Sequence, residues 1–93
     1  MEPTTMRISA EQAQQSGKDG YWVLNGAADS PATRILQDRT GADVKAKSQD
    51  EAQKALAEAG HDYPVVELSE HEFPDASTGQ PHRIKVWVPD IRR

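Results

Sequence analysis

The side chains with chemical potential are few, and most sit in the C-terminal third. His71 and His82 flank residues 74–81, with Glu70, Glu72 and Asp75 beside them. Histidine and carboxylate can hold zinc, but only where three or four converge and further groups orient each ligand. In an extended strand His71 points away from Glu70 and Glu72. No His-x-x-x-His or Glu-x-x-His pair stands on a helix, so neither a metal site nor a cofactor is expected.

Catalysis finds no constellation either. There is no cysteine, which excludes a thiol nucleophile, a disulfide framework and a cysteine metal site. The serines at 9, 16, 30, 48, 69 and 77 have no neighbouring base and oxyanion donor to activate them, and several look like helix caps. Glu70 and Glu72 share a strand face, but carboxylate-pair hydrolysis also needs a cleft deeper than so small a domain forms. The chain is expected not to be an enzyme. Asn25–Ser30 lies between a strand and a helix start, where backbone N–H groups can cradle an anion. It lacks the glycine spacing of a phosphate loop, and Asp29 would repel the ligand.

Charge is the most informative feature. Eleven bases against 15 acids leave a net −4, but the acids are segregated. Residues 50–75 carry eight of them, with Lys54 as the one base; residues 33–47 and 83–93 are locally basic. Such segregation steers docking and sets orientation more than it adds affinity. Trp87 lies near Arg83, and tryptophan with arginine is typical of interface hot spots. The expected contact surface therefore combines Glu67, Glu70, Glu72 and Asp75 with Trp87, Arg83 and the 74–81 loop. The function expected is non-enzymatic protein binding, as a small acidic inhibitor or regulator of the phage or plasmid type, on a partner with a basic surface. One alternative is a ligand- or nucleic-acid-binding domain using residues 25–30 and the basic patch of residues 34–47. The pI near 5.2 argues against nucleic acid. A second alternative is a structural dimerisation unit.

Ninety-three residues allow one domain, 1–93, and one small core. Leu, Ile, Val and Phe total 15, below the ~20% at which disorder becomes a concern. The low net charge weighs the other way. A dimer interface could supplement so thin a core. No apolar leader opens the chain, and no run of about eighteen apolar residues interrupts it, so a cytoplasmic, non-membrane protein is expected.

The elements that must position these side chains are marked locally. Ser48–Gly60 reads as a helix. Ser48 caps it, Glu51 takes the capping-box position, and Ala52, Ala55, Leu56 and Ala59 form one stripe before Gly60. Ser9-Ala-Glu-Gln12 repeats the capping box and opens a short surface helix. Lys18–Gly20 is a turn, Tyr21–Leu24 a strand, and Asp43–Lys47 a short strand. Asp29-Ser-Pro31 is expected to start a further helix ending at Gly41, with Ile35 and Leu36 inward. Pro64–Phe73 and His82–Val88 form an antiparallel hairpin, and pairing Val66 with Val88 and Leu68 with Val86 puts the branched residues on one face. The expected fold is α+β: one mixed or antiparallel sheet of three or four strands, two or three helices mainly on one face, and a C-terminal β-hairpin. Asp43–Phe73 would be a parallel crossover. Residues 1–6 and 74–81 are expected to be mobile, and Met6 could be the original start.

Overall fold

The computed structural model describes residues 6–27, 30, 32–61 and 65–90. Expectations for Met1–Thr5, Asp29, Pro31, Asp62–Pro64 and the Ile91–Arg93 tail lie outside them. The element order is α1 (Ala10–Gln15), β1 (Tyr21–Trp22), β2 (Lys45–Ala46), α2 (Gln49–Glu58), β3 (Val65–Pro74) and β4 (Pro81–Asp90). The fold is α+β, with two antiparallel two-stranded sheets, β1–β2 and β3–β4. Among the described residues the expected crossover does not form: β2 pairs with β1, and β3 with β4.

Both helices form where their caps dictate. At α1 the box is reciprocal: Ser9 Oγ accepts from the Gln12 N–H at 3.0 Å, and Gln12 Oε1 accepts from the Ser9 N–H at 2.9 Å. Ile8, just before the cap, and Ala13 pack into the same core, as a hydrophobic staple does. At α2 only half the box is made. Ser48 Oγ accepts from the Glu51 N–H, while Glu51 Oε1 takes the Lys47 N–H. Ala52 and Leu56 are buried, Ala55 is half-buried, and Ala59 is exposed.

The helix expected to end at Gly41 is not formed: residues 32–41 contain none. Asp38 explains why. Its carboxylate accepts from the Thr40 N–H, the Thr40 hydroxyl and the Ala42 N–H, folding Asp38–Ala42 into a tight turn. Gly41 sits at φ +86°, where glycine alone is at ease. The flanking chain is extended instead, bridging Leu24 to Ile35 and Gln37 to Asp43. Three segments then close a ring of backbone bonds. The Val23 N–H donates to Val44 O at 3.2 Å, Val44 to Leu36 O at 2.8 Å, and Leu36 to Val23 O at 2.7 Å.

The hairpin is present, but its register differs by one residue from the expected one. Val66 faces Pro89, Leu68 faces Trp87, and Glu67 faces Val88. Proline decides it. Having no N–H, proline fits only the non-hydrogen-bonded pairs of an antiparallel ladder. The observed register puts Pro74, Pro81 and Pro89 all at such pairs; the expected one would turn Pro74 inward and lose a ladder bond.

The assumption of a single buried face also fails. Met6, Ile8, Trp22, Leu24, Phe73, Ile84 and Val86 form one core. Val23, Leu36, Ala46, Ala52, Leu56, Val66 and Trp87 form another. Val86 and Trp87 are consecutive on a strand, so these cores lie on opposite faces of β4. Helix α1 serves the first through Ala13 and α2 the second, so the helices are not on one side. Met6 is itself buried in the first core.

Candidate functional site

The sequence-derived contact surface does not assemble as drawn. Trp87 is buried, and its indole N–H donates to Ala46 O at 2.9 Å. It packs among α2 and β2 residues, away from α1 and Trp22. Asp75 is buried as well. One carboxylate oxygen accepts from the Ser77 and Thr78 N–H groups at 2.7 and 2.9 Å, and the other lies 2.8 Å from His82 Nε2. The His82 bond, with those two N–H groups, holds the Asp75 carboxyl down at about 2, well below the usual 3.8. The 74–81 loop is tied by further bonds: Asp75 N–H to Gln80 O, Gly79 N–H to Asp75 O, and Ala76 N–H to Ile8 O. Asp75 and His82 therefore close a turn and leave no carboxylate for a partner.

Four of the six expected residues remain at the surface: Glu67, Glu70, Glu72 and Arg83 are exposed. Glu72 faces Arg83 and Glu70 faces Lys85 across the ladder. Arg83 stands 3.6 Å from Glu72 and 3.9 Å from Glu70, in pairs open enough to water to contribute at most about 1 kcal/mol each. Glu67 points to the opposite face, by strand alternation. What unites the three glutamates is the strand edge they share.

That edge is the feature sequence reasoning missed. The three prolines place Val66, Leu68, Glu70, Glu72 and Pro74 at non-hydrogen-bonded pairs, so their main-chain groups point away from β4. Their known partners agree: Gln49 Nε2 donates to Val66 O at 2.7 Å, and the Ile8 N–H donates to Pro74 O at 3.1 Å. Between these two closed ends, the N–H and C=O groups of Leu68, Glu70 and Glu72 meet no other described residue. The far edge of β4, by contrast, is covered. Trp87 O accepts from the Leu24 N–H and Lys85 O from the Ser16 hydroxyl. Leu68, at 37% exposure, is the one large apolar side chain on the described surface. The signal in the sequence was proline parity along 74, 81 and 89, which identifies the outward-facing residues.

The alternative site is divided. Lys45 is committed: its Nζ donates to Gln15 O and Lys18 O and lies 4.5 Å from the Trp22 ring centroid. Within the expected anion loop, Ala27 O accepts from both the Ser30 N–H and the Thr33 hydroxyl. A cavity of about 460 Å³ does open beside it, lined by Arg7, Gln12, Asn25, Arg34, Gln37 and Asp43 among others. Gln12 and Gln37 both reach the Asp43 carboxylate. Among the described residues no three histidines or carboxylates converge as metal ligands. No described helix is long and apolar enough to cross a membrane.

Comparison with known proteins adds no relative: no family model, curated protein or solved structure matches the chain.

Proposed function

We propose that this chain is a non-catalytic protein-binding module, and that it takes an extended segment of its partner along the free edge of β3. The observation that carries this reading is the run of main-chain groups at Leu68, Glu70 and Glu72 that pair with no described residue, bounded by the Gln49 and Ile8 bonds. An exposed edge is a template for strand addition, in which main-chain bonds supply affinity and alternate side chains supply selectivity. A small acidic inhibitor or regulator could act by occupying a partner's strand in this way.

The direct test is Glu70→Pro. The Glu70 N–H faces outward, so proline removes a group offered to the partner and no bond to β4. The variant is expected to keep its circular dichroism and to lose capture of the partner that co-purifies with the wild type. Undiminished capture by a folded variant would refute strand addition.

A second reading rests on the cavity between Asn25 and Asp43, whose amide and arginine lining suits a small polar ligand. Titration with nucleotides, followed by tryptophan fluorescence, tests it; a flat response would dispose of it.

A further inference from the structure

We infer that the segment received by the β3 edge is basic, alternating lysine or arginine with apolar residues, and belongs to another protein rather than to a second copy of this chain. This inference rests on the strand-addition reading. Its basis is the sign of the charges on either side of β3. Glu70 and Glu72 face Lys85 and Arg83 on the β4 side. On the open side no described residue faces them. An incoming strand puts its side chains directly opposite those of β3, where opposite charges attract and like charges repel. Bases there would set each glutamate between two cations. Leu68 lies on the same face as Glu70 and Glu72, two positions along, and wants an apolar neighbour on the added strand. Glu67, on the other face, offers a third acidic position.

The same charges act against self-association. Edge-to-edge pairing of two copies would bring Glu67, Glu70 and Glu72 of each onto one ladder. Charged edge residues are a common device against such pairing. Pro74 closes one end of the stretch, because it has no N–H to offer and its carbonyl is already taken by Ile8.

The probes are two short capped peptides, one alternating lysine with valine and one alternating glutamate with valine, titrated into the full chain by calorimetry. The lysine peptide is expected to bind and to weaken as salt rises, and the glutamate peptide not to bind. Reversing charge with Glu67→Lys, Glu70→Lys and Glu72→Lys together should weaken the lysine peptide by about tenfold or more and let the glutamate peptide bind. Alternate N-methylation of the lysine peptide should abolish binding to the wild-type chain, a control that needs no variant to fold. Equal binding of both peptides, lost on N-methylation, would overturn the charge inference and leave strand addition standing. Binding that survives both N-methylation and Glu70→Pro would overturn strand addition, since the peptide would only be adsorbed by charge. A dimer in sedimentation that Glu70→Pro disperses would make a second copy the occupant and overturn the inference. Failure of both peptides to bind a monomeric chain would overturn the inference and the reading together.

Discussion

Asp75 shows how much one buried carboxylate can organise. It faces His82 and two backbone N–H groups, and its ionised form is favoured by all three. A folded-state value of about 2 against an ordinary 3.8 means that the unfolded chain binds the proton more readily. Its stabilising contribution is therefore complete above roughly pH 4 and is lost as pH falls towards 2. The difference in melting temperature between wild type and Asp75→Asn should therefore be larger at pH 5 than at pH 2, closing as pH falls through that window. A gap that persisted unchanged to pH 2 would contradict this. Gly20 makes a different demand. It sits at φ +117°, and a Cβ there would lie 2.7 Å from Ala46 O. Gly20→Ala should destabilise the chain by about 1–3 kcal/mol or more through strain and clash. Gly60→Ala meets no atom of the described residues and has only its φ of +90° to resist it, so it should cost less in the same denaturant titration.

Helix α2 contributes Ala52 and Leu56 to the core beside Val66 and Trp87. Leu56→Ala should cost about 2–5 kcal/mol, measured by urea unfolding, because Leu56 is only 1% exposed and its neighbours can collapse only partly. Both helices were legible from sequence because their caps and stripes are local signals, read within a single turn. The hairpin was legible for a similar reason, since two runs rich in branched residues flank a polar loop. Its register was not. Grouping branched residues on one face presupposes one core, whereas β4 is buried on both sides, by Val86 one way and Trp87 the other. Residues 32–41 were misread because the adjacent Ile35 and Leu36 suit helix and strand alike. The side chain of Asp38 settled the matter by bonding Thr40 and Ala42. The candidate edge was hidden likewise, since which groups of a strand face outward depends on register.

At the scale of the molecule, β4 runs between two cores that hold one tryptophan each, Trp22 in the first and Trp87 in the second. Neither core can lose its packing while β4 stays in place for the other. Trp22→Phe and Trp87→Phe variants, each with one fluorescent reporter left, are therefore expected to give unfolding curves that match their own circular dichroism curves. A fluorescence transition well below the dichroism transition in either variant would show that the cores melt separately. The backbone ring through Val23, Leu36 and Val44 has a kinetic corollary. No member of that knot can slip loose alone, because each gives its N–H to one of the other two and receives from the third. In deuterated buffer the three amides should exchange together, at a common slow pace, and only when the whole clasp comes undone.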